Sequence, residues 1–266
     1  AREDSTRQNT YKEDFLTAAN AAINGAVTSC CDMPNNPHPP IDDESYIEKL
    51  TLAMKAPIFI LPYAGIGPNT KPLSFHIPYK VFMGPSIGGL YFKSSAELET
   101  TIEKYQGLWV SFHCEDPQIL EDSKGQAEHH LRRPLKAELL ATSFALKLIQ
   151  KHQLKGKICH FSATSALAQI LELKRTGATV ETEVTPQHLY FSTDTMNQEE
   201  KLWMQMNPPI RNEVERKYLI SALKEGKLDY LATDHAPHSN EEKAKGISGV
   251  TGLDTYGGFL TWLMHE

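Results

Sequence analysis

Short β-rich runs alternate with longer helical patterns along nearly all of this 266-residue chain, and no other feature constrains the fold as tightly. Candidate strands are Ala26–Cys31, Ile58–Leu61, Tyr79–Met83, Leu108–Phe112, Lys157–Cys159, Val180–Val184 and Tyr230–Ala232. Helical patterns occupy Tyr11–Asn24, Ser45–Met54, Ser95–Tyr105, Pro134–His152, Ser165–Thr176 and Val214–Glu225. Strand and helix repeated at this spacing predict parallel βαβ units, because a parallel neighbour is reached only through a crossover. Gly25, Gly107, Gly156, Gly177 and Gly226 each follow a helical pattern and precede a strand, the place of a helix-ending glycine. Pro134 opens its helix, where a missing N–H costs nothing. An eight-stranded (β/α) barrel takes about 250 residues, so the length fits while the strand count falls one short. An open doubly wound sheet also fits the pattern, although no Gly-x-Gly-x-x-Gly follows the first strand. No linker, repeat or low-complexity segment divides residues 1–266, which predicts a single domain.

Composition narrows the function classes. A net charge of −6 gives no basic footprint for nucleic acid. No apolar run approaches the length needed to span a bilayer, and the polar start Ala1-Arg2-Glu3-Asp4 is no signal peptide. Cys30, Cys31, Cys114 and Cys159 lie in or at the ends of apolar segments and form no Cys-x-x-Cys pair. That usage suits reduced thiols in a cytoplasmic enzyme.

The polar residues that follow the strands fall on one face. Asp32-Met33-Pro34-Asn35 follows the first, Lys80 lies within the third, His113 ends the fourth and His160 ends the fifth. Thr185-Pro186-Gln187-His188 follows the sixth, and Asp234, inside Thr233-Asp234-His235-Ala236-Pro237-His238, follows the seventh. In parallel α/β proteins the carboxyl ends of strands carry the active site. Two imidazoles and a carboxylate there make a divalent-metal set, and Asp234 could be ligand, general base or both. Each residue also has a plainer reading: a satisfied histidine, a helix-capping aspartate, a turn asparagine. Lys80 inside an apolar strand carries a desolvation cost unless it is paired, modified or snorkelling.

Six of these motifs stand in one order: Met33-Pro34-Asn35, His113-Cys114-Glu115-Asp116, Cys159-His160, Val184-Thr185-Pro186-Gln187-His188, Met206-Asn207-Pro208-Pro209 and Thr233–His238. Together they resemble the dihydroorotases of the amidohydrolase superfamily, over nearly the whole chain. The resemblance implies a (β/α)8 barrel of the metal-dependent hydrolase kind. It implies two zinc ions, bridged by a carbamylated lysine at Lys80, with His113 and His160 completing the more exposed site. Asp234 resembles the ligand of the deeper metal that also shuttles the proton. Arg2, Asn35 and His238 resemble residues that hold the substrate carboxylate, and Asn207 one that contacts the ring. Gln187 departs from a histidine common in the family.

A second departure is at the start. The family's first strand ends in His-x-His, followed by an arginine; here Arg2 holds the arginine's place and no His-x-His precedes it. The expectation is a barrel lacking its first strand and the small β domain, with one metal site set at Lys80, His113 and His160. The other site keeps only Lys80 and Asp234. The implied reaction is the reversible cyclisation of N-carbamoyl-L-aspartate to dihydroorotate in pyrimidine biosynthesis. Another cyclic amidase (hydantoinase, dihydropyrimidinase or allantoinase) and an inactive scaffold homologue are the alternatives. The implied partner is the small-molecule substrate, and a homodimer or a pyrimidine-pathway enzyme partner stays open.

Overall fold

The computed structural model describes residues 2–86 and 88–266; Ala1, from which the reading of the chain's start is counted, lies outside them. Eight short strands form, all paired in parallel: β1 (Ser29–Asp32), β2 (Phe59–Pro62), β3 (Ala64–Ile66), β4 (Tyr79–Phe82), β5 (Trp109–His113), β6 (Lys155–Ile158), β7 (Val180–Val184) and β8 (Tyr230–Leu231). β1 pairs with β2, and β3 to β8 follow one another in chain order. β2 and β3 are two halves of one strand that passes from one neighbour to the next at Tyr63. The Tyr63 N–H donates to the Asp32 carbonyl at 2.8 Å, and the Ala64 N–H to the Pro78 carbonyl at 3.1 Å. The seven expected strands therefore occupy seven consecutive positions in the wall of a (β/α) barrel.

Helices cover the outside of that wall. Residues that point outward from the strands, such as Tyr79, Val81, Val110, Phe112, Ile158 and Val184, pack against Ile102, Ala145, Leu148, Ile149, Leu167 and Leu219 in one continuous core. The side chains between them point inward and are polar: Lys80, Ser111, His113, Lys157 and Glu183. Strand periodicity of two separates an apolar outer face from a chemically active inner one.

Helix boundaries follow capping rather than periodicity. The first helix begins at Phe15 rather than Tyr11, because Asp14 accepts from the Thr17 N–H at 2.8 Å and closes a capping box. Gly107, Gly177 and Gly226 take the left-handed conformation expected of helix-ending glycines. Gly25 and Gly156 do not. Gly156 lies inside β6 against Ile149, and Gln153 takes the left-handed position after the preceding helix instead. Gly25 ends its helix at φ −87°, and what requires glycine there is a close approach. A Cβ on it would lie 1.7 Å from the Leu253 carbonyl oxygen.

That approach is part of a seam. Among the described residues no strand pairs with the outer edges of β1 and β8, and side chains bridge the two ends of the chain instead. The Lys12 ammonium meets Glu242 at 2.7 Å, the Tyr11 hydroxyl donates to Glu242 at 2.9 Å, and Glu13 meets His235 at 2.6 Å. Gly25→Ala should force backbone apart along this seam and cost about 1–3 kcal/mol, the range of an overpacked site. Urea unfolding checks it: an unchanged midpoint would mean that the two ends are not held in contact.

Candidate functional site

The site sits at the carboxyl ends of the strands, where the backbone is held in unusual conformations. His160, two residues beyond β6, has φ +37°, and Asp234, beyond β8, has φ +45°. Non-glycine residues adopt this region at a cost, and surrounding contacts must hold them there. Around His160 those contacts are plain. The His160 N–H donates to Glu183 Oε1 at 3.2 Å, and the Phe161 N–H to the Glu183 carbonyl at 2.7 Å. Beyond the turn, Glu138 accepts from the Ser162 and Ala163 N–H groups at 2.6 and 3.0 Å. Arg211 pairs with the same carboxylate at 2.9 Å, both side chains buried.

His113 and His160 meet at 2.9 Å, Nδ1 of the first facing Nε2 of the second, with the rings edge-on at 73°. His113 Nε2 lies 2.9 Å from Glu115 Oε2, and Arg133 clamps both Glu115 oxygens. Burial raises the Glu115 carboxyl, but the His113 bond and the Arg133 charge outweigh it and hold it down to about 2. An ionised Glu115 only accepts, so His113 donates through Nε2 and presents a lone pair at Nδ1. Burial, with the Glu115 bond opposing, lowers the pKa of His113; burial, His113 and Lys80 drive that of His160 well below the ordinary value. Both rings are neutral at pH 7, the state in which imidazole binds a metal.

Lys80 is 2% exposed on β4, its ammonium 5.3 Å from the centre of the Phe82 ring. Its charge reaches both histidines and Asp234. The Asp234 carboxyl is pushed up to about 7 by burial and by Glu183, against the pull of Lys80 and Arg2. Glu183 is itself paired with Lys157 at 2.9 Å.

The sequence-predicted site residues divide in three ways. Arg2 and His238 come together, Nη2 to Nε2 at 3.2 Å, on the rim beside Asp234. Asn207 is half-buried, with its Oδ1 buried and without a hydrogen-bond partner among the described residues. Its loop is stapled by His188, which reaches the Pro208 and Pro209 carbonyls at 3.2 Å from Nε2 and Thr185 Oγ1 at 2.8 Å from Nδ1. Asn35 lies half-buried after β1 and makes no side-chain hydrogen bond among the described residues. Gln187 is buried with Oε1 unpartnered, its amide nitrogen against Gly252. His235 is a clamp: Nδ1 accepts from the Gly252 and Leu253 N–H groups while Nε2 meets Glu13.

The donor set fits a metal in part. Two ligands on a tetrahedral zinc at about 2.0–2.1 Å are roughly 3.3 Å apart. The His113–His160 pair comes within a few tenths of an ångström of that spacing, with Glu115 fixing one ring as ligand-supporting carboxylates do. Among the described residues no group of three or more His, Cys, Asp or Glu side chains gathers around one point. Asp234 joins neither histidine, and Lys80 as an ammonium has no lone pair to give.

Sequence reasoning overlooked Glu115, Arg133, Glu138, Arg211, Lys157 and Glu183. Glu138 carried a signal, an acid on the apolar stripe of its helix with Ala141, Thr142 and Ala145. Lys157 and Glu183 are charges at inward strand positions, like Lys80.

No protein-family model matches the chain. It is 34% identical over 248 residues to a dihydroorotase of Pyrococcus horikoshii, covering 92% of this chain and 54% of that protein. A dihydroorotase of Brevibacillus brevis is 31% identical over 268 residues, covering 92% and 62%. The chain thus spans between half and two thirds of the length of these relatives. Among solved structures, the L-hydantoinase (dihydropyrimidinase) of Arthrobacter aurescens superposes with a TM-score of 0.84 at 22% identity, over 93% of this chain and 61% of that one. The D-hydantoinase (dihydropyrimidinase) of a Thermus species gives 0.76 at 20%, over 92% and 60%. The barrel fold is the one these enzymes share.

The buried Glu138–Arg211 pair makes a prediction about the turn that carries His160. Glu138→Ala removes the acceptor of two backbone N–H groups and strands Arg211, which should cost about 3–5 kcal/mol. A loss below about 1 kcal/mol in urea unfolding would mean that the turn is held by other contacts.

Proposed function

On the premise that the chain is a homologue of the dihydroorotases built on the amidohydrolase barrel, we propose that it is the catalytic barrel of a dihydroorotase. The reaction is the reversible, zinc-dependent closure of N-carbamoyl-L-aspartate to dihydroorotate in pyrimidine biosynthesis. The observation that carries this reading is the meeting of Arg2 and His238 beside Asp234. Dihydroorotate bears a ring carboxylate, and a guanidinium with an imidazole is suited to hold one. Hydantoins and dihydropyrimidines lack that group and would leave the pair without a purpose.

His113 Nδ1 and His160 Nε2 would hold the zinc, joined by Lys80 once a carbamate replaces its ammonium. The ion would lower the pKa of water to about 7 and polarise the ring carbonyl. The rest falls to the chain's own groups. Arg2, His238 and Asn35 hold the carboxylate and fix the ring, and Asn207 Oδ1 accepts from a ring N–H. Asp234, with a carboxyl near 7, takes the proton of the attacking water and returns it to the leaving nitrogen. Its pKa suits both halves of that exchange at neutral pH.

The four cysteines are free, and no helix among the described residues is long and apolar enough to cross a membrane. Both are compatible with a cytoplasmic enzyme acting on a small molecule.

Dihydroorotate, dihydrouracil and allantoin assayed in parallel, in this chain and in any longer protein that carries it, test the reading. Turnover confined to dihydroorotate is expected in a longer protein that carries the chain, with little or none in the chain alone; turnover of dihydrouracil or allantoin instead would make it a different cyclic amidase. Asp234→Ala should abolish turnover, by about 10²–10⁴-fold for a lost acid–base group, while leaving the unfolding curve in place. For the chain alone, metal analysis after dialysis should find at most one zinc per molecule, lost in His160→Ala. Two tightly held ions with full activity would contradict the ligand assignment.

A further inference from the structure

Glu242 has no role in the mechanism above, yet its carboxylate meets four groups on the rim. Oε1 receives the Lys12 ammonium at 2.7 Å and the Tyr11 hydroxyl at 2.9 Å. Oε2 accepts from the Ser239 N–H at 3.0 Å and lies 3.3 Å from His238 Nδ1. On the other side of the ring, Nε2 faces Arg2 Nη2 at 3.2 Å. A guanidinium only donates, so Nε2 presents its lone pair and the single proton of a neutral ring sits on Nδ1. Nδ1 has two neighbours at 3.3 Å, Lys12 Nζ and Glu242 Oε2. An ammonium only donates and a carboxylate only accepts, which leaves Glu242, among the described residues, as the group that can receive that proton. The ring has little room to swing aside, since a Cβ on Gly249 would lie 2.7 Å from His238 Cδ2.

We infer that Glu242 is a positioning residue that holds His238 as its Nδ1–H tautomer and so aims Nε2, together with Arg2, at the carboxylate of the substrate. The role at the carboxylate rests on the dihydroorotase reading; the tautomer does not. A bound carboxylate also only accepts, so Nε2 then takes one proton from solvent. The resulting imidazolium keeps its Nδ1–H on Glu242. Arg2 and Lys12 oppose that added positive charge, and Glu242 supports it. Lys12 serves by holding the Glu242 carboxylate in place rather than by meeting the ring.

Long-range ¹⁵N–¹H spectra of the histidine rings, on the metal-free chain without substrate, test the tautomer directly. His238 is expected as Nδ1–H in the wild type, and an Nε2–H ring there would overturn the inference without any variant. Glu242→Gln keeps a side chain that can close the cap with Ser239 but removes the charge; Lys12 then asks for a lone pair at Nδ1 while Arg2 asks for one at Nε2, so the ring should become a mixture of both tautomers. Lys12→Met should leave the Nδ1–H tautomer in place. An unchanged spectrum in Glu242→Gln, or an equal shift in Lys12→Met, would also overturn it. In calorimetry Glu242→Gln, which no longer supports the imidazolium formed on binding, should weaken dihydroorotate binding about tenfold and leave dihydrouracil unaffected. If the wild type binds no dihydroorotate while Glu242→Gln still moves the proton, the functional reading falls and the tautomer assignment stands.

Discussion

A charge buried from water must find its partner within the protein, and most of the site's order follows from that constraint. Desolvating an ion is costly, and a buried ion is tolerated only when an opposite charge and well-aimed hydrogen bonds replace water. Lys49 answers Asp32 at 2.9 Å, Lys157 answers Glu183, Arg211 answers Glu138 and Arg133 answers Glu115. Each pair joins two different segments of the chain. Lys80 is the exception, buried with no ion pair among the described residues. Under the proposed function, carbamylation would convert that misfit into a ligand.

The left-handed backbones at His160 and Asp234 belong to the same logic. Glu183 and Glu138 hold the His160 turn with side-chain and backbone acceptors, so strain at His160 is balanced by buried pairs one layer further out. At Asp234 the neighbouring clamp is His235, fixed by two backbone donors and Glu13. The seam between the two ends of the chain thus ties Arg2, on the first segment, to His238, on the last. The carboxylate site proposed for Arg2 and His238 would depend on that seam staying closed.

Much of this could be read from the chain. Alternation of two kinds of period placed all seven strand positions, and the inward histidines, Lys80 and Asp234 stood out because polar residues at strand ends have no packing reason to be there. What escaped had no local pattern. β3 is a continuation of β2 beyond Tyr63, visible only when the strand changes partners. Gly25 looked like an ordinary helix stop, although a carbonyl over two hundred residues away is what excludes a side chain. Gly156 follows a helix in the sequence but belongs to a strand, because Gln153 had already turned the chain. The supporting acids Glu115, Glu138 and Glu183 pair with residues from other elements. Sequence spacing carries no record of which distant cation each one meets.

The central claim is that His113 and His160 converge on a metal ion through Nδ1 and Nε2. X-ray absorption on the zinc-loaded chain tests it most directly. The account predicts two imidazole nitrogens at about 2.0–2.1 Å in the zinc shell, lost together with bound zinc in His113→Ala. A zinc shell without imidazole nitrogen, or one unaltered in that variant, would contradict it.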